Sequence, residues 1–160
     1  MKKIICFLIL FIFAVHINAQ NNDLEKSIND CLTSFIEAKK RHQDKGILKQ
    51  DYFDNLYISI DNFPPHYSFK KSILDIPVKY ISITCHMGFE KILKKGAWVI
   101  SLNNINLVSN RLEIIFVLEN VTLKGKNNLH IGLSESFKYI LDYSCEEDKW
   151  IMVSEKHSGV

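Results

Sequence analysis

The most regular stretch of this 160-residue chain is FKYILDYSC, at residues 137–145. Its apolar side chains occupy every second position: Phe137, Tyr139, Leu141, Tyr143 and Cys145. A period of two indicates a β-strand that buries one face, because successive side chains of a strand point to opposite sides. A polar turn at residues 146–149 and an apolar segment at residues 150–153 follow. We therefore predict an antiparallel pair of strands at this end of the chain.

Segments before residue 137 extend this pair into a sheet. Further strands are predicted, in chain order, at residues 57–61, 78–84, 98–102 and 112–118. Pro64-Pro65 ends the first of them, because two prolines cannot donate hydrogen bonds to a neighbouring strand. Ser109-Asn110 predicts a hairpin turn between the last two strands. A short helix is predicted around residues 89–93.

The clearest helix is predicted at residues 22–42. Its apolar side chains recur with the spacing of one buried stripe, at Leu24, Ile28, Cys31, Leu32, Phe35 and Ala38. Asn22 and Glu25 form a capping box at its start, and the basic residues 39–42 complement the negative end of its dipole. A second short helix is a further option after Gly46. Because Cys31 lies on the apolar stripe of the 22–42 helix, we predict that it is a buried core residue.

The first nineteen residues predict a cleaved secretory signal peptide. Lys2 and Lys3 precede an apolar run at residues 4–15, which is shorter than the roughly twenty residues of a membrane span. Ala19 supplies a small residue for cleavage. We therefore expect an exported protein, periplasmic or secreted, with no stable membrane anchor after cleavage. Residues 20–160 then form one α+β domain.

The charge of the remaining chain argues against a nucleic-acid partner. The full sequence carries twenty basic and eighteen acidic residues, and the signal removes Lys2 and Lys3 but no acid. Eighteen basic residues then balance eighteen acidic ones. Arg41 and Arg111 are the two arginines, whereas nucleic-acid binders usually cluster arginine and lysine on one face. No nucleic acid is expected as a partner.

Three cysteines follow the predicted signal: Cys31, Cys85 and Cys145. An exported chain can keep disulfides, and an odd number leaves at least one thiol free. We favour a bridge between Cys85 and Cys145, which both lie at predicted strand ends, while a bridge to Cys31 and no bridge at all stay open. The sequence has no CxxC motif and no cysteine–histidine spacing typical of zinc. No metal and no cofactor are expected.

The adjacent Cys85-His86 does not predict catalysis, because neighbours on a continuing strand point to opposite faces. No residue is therefore assigned a catalytic role. The aromatic loop that contains Phe63, His66 and Tyr67 is the candidate surface for contacting a partner. The alternative interpretation is that Phe63 and Tyr67 pin this loop to the core.

The order of these elements resembles two groups of proteins. A helix at residues 22–42, a meander and a closing strand Trp150-Ile151-Met152-Val153 resemble the nuclear transport factor 2-like (cystatin-like) α+β domains. That resemblance implies a helix across a curved sheet, with a pocket between them. The predicted fold class is thus α+β: one or two N-terminal helices packed on a curved antiparallel sheet of about four to six strands. The N-terminal segment with its Asn18-Ala19-Gln20 junction is similar to small exported bacterial-type proteins of unknown function, which implies localisation alone.

The absence of a catalytic, metal or phosphate-binding motif in the sequence favours a non-enzymatic binding or interaction module for a protein or a small ligand. The alternative is a small enzyme with an active site in a pocket between helix and sheet. An open apolar pocket with converging polar groups would favour the enzyme. A filled interior with an exposed aromatic patch would favour the binding module.

Overall fold

The computed structural model describes residues 2–45, 56–125 and 128–159. The elements in chain order are α1 (Lys2–Asp44), β1 (Leu56–Ser59), β2 (Ser72–Ile73), β3 (Ile76–Ile81), α2 (Glu90–Leu93), β4 (Ala97–Val108), β5 (Arg111–Lys124), β6 (Asn128–Ser144) and β7 (Lys149–Gly159). The second short helix, predicted as an option after Gly46, falls outside the described residues.

The described strands form one sheet in the order β2-β3-β1-β4-β5-β6-β7. β1 runs parallel to both β3 and β4, and the other pairs are antiparallel. The predicted fold class is therefore wrong. The sheet has seven strands and is mixed, where four to six antiparallel strands were expected. The second described helix is not N-terminal: it is the four-residue α2 between β3 and β4, at the place where the sequence predicted a short helix.

The error concerns the first two strands: the strand predicted at residues 57–61 was not expected to pair in parallel, and β2 was not predicted. β1 has four residues and β2 has two. All four residues of β1 are buried. Leu56 and Ile58 contribute to the core beneath α1, whereas Tyr57 contributes to a second cluster on the opposite face. Burial on both faces is typical of parallel strands.

The remaining strands form the long meander that the sequence indicates. Ser109 and Asn110 connect β4 to β5 with φ values of 50° and 62°, so the predicted hairpin turn is confirmed. Both residues have the positive φ of a two-residue hairpin turn. The pairing shifts register by one residue on β4, on β6 and on β7, where bulges bend the strands.

Helix α1 begins at Lys2 and continues through the predicted cap at Asn22. The segment before Asn22 contains no glycine or proline that would end a helix. The predicted buried stripe is confirmed, since Ile28, Cys31 and Phe35 are fully buried. In the part of the chain that the structure describes, no helix combines the length and apolar character that a membrane crossing requires.

Aromatic rings fill the space between α1 and the sheet. The Phe35 ring lies 4.5 Å from the Phe137 ring and 6.4 Å from the Phe116 ring, measured between centroids. Tyr139 packs against Phe116 from β6, and none of these four side chains is more than 2 % exposed. This face of the sheet is therefore a packed core.

Candidate functional site

The predicted contact loop is held against α1. The Tyr67 hydroxyl donates a hydrogen bond to Oδ1 of Asn29 at 2.8 Å, and Tyr67 itself is buried. The Phe63 ring lies 4.6 Å from the Tyr67 ring and packs against the core. His66 is the exposed member of the three. Phe63 and Tyr67 therefore hold this loop against the core, which is the alternative interpretation given in the sequence analysis.

The structure does not bring Cys85 and Cys145 together. Cys85 follows β3 and Cys145 follows β6, and β1, β4 and β5 lie between those two strands in the sheet. Both cysteines are exposed free thiols in this structure. Burial, together with the negative charges of Asp30 and Glu155, raises the pKa of the Cys31 thiol to about 12. Cys31 is therefore a core residue and a poor nucleophile.

Cys85 and His86 lie in a loop, because β3 ends at Ile81 and does not reach the predicted end at Thr84. The loop is organised by Asp61. Its carboxylate accepts hydrogen bonds from the Ser82 hydroxyl at 2.6 Å and from the backbone N–H groups of Ile83 and Thr84 at 2.8 and 3.1 Å. Ser82 Oγ in turn accepts from the Cys85 N–H at 2.9 Å. This arrangement is a turn-forming cap, and none of these hydrogen bonds involves the Cys85 thiol.

Replacing Asp61 with alanine is expected to lower the free energy of unfolding by about 1 kcal/mol at pH 7, a modest value because the carboxylate is exposed. Burial raises the pKa of Asp61, but the hydrogen bonds from Ser82, Thr84 and Ile83 outweigh it and lower that pKa overall. The stabilisation is therefore complete above the unfolded-state pKa of about 3.9 and is lost as pH falls through the lower folded-state pKa. Denaturation of both proteins at pH 7 and near pH 2 measures the difference, and a gap that persists in acid would contradict this assignment.

A charged network that the sequence did not predict joins α1 to the end of the sheet. Lys39 of α1 is only 1 % exposed, and its ammonium group pairs with the Glu135 carboxylate of β6. The same carboxylate lies 2.8 Å from Nε2 of His157 on β7. From the sequence, Lys39 is interpreted only as one of the cations that complement the helix dipole, and this burial is not predicted. The available signal was its position four residues after Phe35, on the buried stripe.

Aromatic rings surround this network. The Lys39 ammonium lies 5.1 Å from the centre of the Phe137 ring, and the His157 ring stacks on Phe137 at 4.3 Å. Burial raises the pKa of Glu135, yet the hydrogen bonds and charges of Lys39 and His157 outweigh it and lower that pKa overall. The carboxylate is ionised and already accepts two partners. It therefore stabilises the junction between helix and sheet and is poorly suited to donate a proton.

A different region presents apolar and aromatic side chains to solvent. Leu107, Arg111, Tyr143 and Trp150, which we call the hairpin-end surface, line an open cleft of about 620 Å³ where the β4–β5 and β6–β7 turns meet. Leu107 is 67 % exposed and Tyr143 is 41 % exposed. The Tyr143 and Trp150 rings meet edge to face at 5.3 Å.

Polar contacts fix the shape of the hairpin-end surface. Nε of Arg111 donates to Oδ1 of Asp142 at 2.8 Å across β5 and β6. The Tyr143 hydroxyl donates to Oδ1 of Asp148 in the following turn, and this hydrogen bond raises the pKa of Tyr143 to about 12. Tyr143 is thus neutral at pH 7. The surface offers an aromatic pair, an aliphatic side chain and an ion pair at its rim.

The sequence places Tyr143 in the inward-facing row and Trp150 in the closing strand, and nothing in it marks Leu107. These residues meet through strand register: Leu107 pairs with Leu112, Leu112 with Leu141, and Tyr143 with Trp150. Register across three strand pairs is a property of the folded sheet, so no local pattern reveals it. Comparisons of the chain with protein-family models, with curated proteins and with solved structures found no match.

Proposed function

We propose that this protein is an exported, non-enzymatic binding module that contacts a partner protein through the hairpin-end surface. The observation that carries the proposal is the contrast between the middle and one end of the α1-facing side of the sheet. Rings fill its middle under α1, whereas Leu107 and Tyr143 at its end are exposed. Large apolar side chains grouped at a surface are typical of an interaction site.

The residue types of this surface favour a protein partner. Tryptophan, tyrosine and arginine dominate the binding energy of protein interfaces, because they bury much area with few rotatable bonds. Tyr143 and Trp150 form such a pair, and Arg111 and its partner Asp142 line the same cleft. We expect the partner to insert an apolar side chain into the cleft and to contact the charged rim with polar groups.

Export is part of the proposal, and it rests on the pattern of residues 1–19. The described core residues of α1 lie between Leu24 and Lys39. Cleavage after Ala19 would therefore leave these described contacts of α1 in place. The shortened helix would still cover Phe116 and Phe137.

Photo-cross-linking in the expressing cells tests the binding surface. A photoreactive phenylalanine analogue replaces Tyr143 in one variant and Phe69 in the control, where the ring is 40 % exposed. We expect a discrete cross-linked product with a second, different protein from position 143 only. Leu107→Asp in the same chain should abolish that product by placing a charge in the cleft. A product from position 69 alone, equal products from both positions, or none at 143 would overturn the proposal.

A further inference from the structure

Carboxylates outnumber cations around the hairpin-end surface. The turn between β6 and β7 contributes an exposed acidic run, Glu-Glu-Asp at residues 146–148. Two neighbouring cations are already paired. Nε of Arg111 lies 2.8 Å from Oδ1 of Asp142, and Lys149 pairs with Glu147 of the turn. Because each pair is neutral, the remaining carboxylates of the turn set the charge of this surface.

Two carboxylates of the turn have no such cation. Within the described part of the chain, no basic side chain forms an ion pair with Glu146 or Asp148. Asp148 accepts the hydrogen bond of the Tyr143 hydroxyl, which places its charge beside the exposed aromatic pair. Asp23 of α1 adds a further negative charge that acts on Tyr143. The aromatic pair therefore lies beside uncompensated negative charge.

Exposed rings and carboxylates together favour a cationic side chain. Tyr143 is 41 % exposed, and the face of an aromatic ring attracts lysine or arginine. A carboxylate such as that of Asp148 pairs with the same groups, and it can bind arginine through two parallel hydrogen bonds. Leu107, which is 67 % exposed, offers apolar surface for the aliphatic stem of such a side chain or for its apolar neighbour.

We infer that the partner presents a basic segment to the hairpin-end surface: an apolar side chain against Leu107, with lysine or arginine beside it on Tyr143 and Asp148. This inference rests on the proposed function, because it names the chemistry of the partner at the same surface. The same carboxylates would repel the phosphates of a nucleic acid or of an anionic membrane, both of which require a basic surface.

Nuclear magnetic resonance of the isotope-labelled full chain tests this inference with peptides in place of the partner. Three short peptides share a central leucine, which is flanked by two arginines, two glutamines or two glutamates. The arginine peptide should shift the indole N–H signal of Trp150 and bind about tenfold more tightly than the glutamine peptide. The glutamate peptide should cause no shift. Trp98 is the internal control, since it lies at the opposite end of β4 from Leu107 and outside the cleft.

Two double variants locate the charge that the arginine peptide recognises. Glu146→Gln combined with Asp148→Asn should weaken its binding about fivefold. Asparagine keeps an acceptor for the Tyr143 hydroxyl and tolerates the left-handed backbone of Asp148, where φ is 50°. The matched control, Glu37→Gln combined with Asp75→Asn, removes two exposed carboxylates outside the cleft and should leave binding unchanged.

Three results would overturn the inference. They are a glutamine or glutamate peptide that binds as tightly as the arginine peptide, a Trp150 signal that no peptide moves, and equal binding of the arginine peptide to the two double variants. If any of them accompanies a partner cross-linked at position 143, the binding surface stands and only its preference for a basic segment fails. Selective binding of the arginine peptide without a cross-linked partner would instead contradict the proposed function.

Discussion

Replacing Phe35 with alanine is expected to lower the free energy of unfolding by about 4 kcal/mol, the typical cost of a large cavity in a packed core. The Phe35 ring is fully buried and contacts both Phe116 and Phe137. Through this ring, α1 packs against aromatic rings of β5 and β6. The cavity would also remove the ring that lies 6.0 Å from the Lys39 ammonium. Chemical denaturation of the variant and the parent measures the loss.

Phe69→Ala is the matched control for this prediction. Phe69 also lies in an aromatic cluster, 5.4 Å from Phe63 and 4.7 Å from Tyr80, but it is 40 % exposed. Its removal leaves no closed cavity, and we expect a loss of about 1 kcal/mol. Equal losses in the two variants would contradict the packing of α1 on the sheet.

Replacing Glu135 with alanine is expected to lower the free energy of unfolding by about 3 kcal/mol, because the Lys39 ammonium is then buried without its counter-charge. Lys39 is 1 % exposed and Glu135 is 20 % exposed, so the lysine bears most of the desolvation. The folded-state pKa of Glu135 lies below its usual value. Its contribution is therefore complete above the unfolded-state value of about 4.3 and is lost as pH falls through the folded-state pKa.

Two variants isolate the cause of this loss. Lys39→Met removes the buried charge and keeps an apolar chain of similar length, so we expect a change of under about 1 kcal/mol. Glu113→Ala breaks a second lysine–glutamate pair, in which Nζ of Lys138 lies 2.7 Å from Oε1 of Glu113. Because this lysine side chain is 35 % exposed, we expect the free energy of unfolding to fall by about 1 kcal/mol or less. If Lys39→Met is as destabilising as Glu135→Ala, the unpaired, buried Lys39 ammonium is not the cause of the stability lost in Glu135→Ala.

The strands that the sequence predicts correctly share one property: each places several alternating side chains in the core beneath α1. β6 alternates over Phe137, Tyr139 and Leu141, and all three face the core beneath α1. β5 does the same with Ile114 and Phe116. These strands are long enough for the period of two to be visible. The hairpin turn at Ser109-Asn110 follows from their spacing.

The features that the sequence does not reveal depend on contacts between distant segments. The parallel position of β1 between β3 and β4 is set by the path of the chain, which leaves no pattern in four buried residues. Lys39 is buried because Glu135, ninety-six residues away, neutralises it. The hairpin-end surface likewise exists only in the assembled sheet. The resemblance to nuclear transport factor 2-like domains stays a prediction.

Mass spectrometry of the exported protein under non-denaturing conditions tests the central proposal most directly. We expect a subunit with the mass of residues 20–160, within a position or two of the cleavage site, in a complex with a different protein. Leu107→Asp should release that protein without changing the subunit mass. An exported chain that still contains residues 1–19, or a processed chain that carries no partner, would contradict the proposal of an exported binding module.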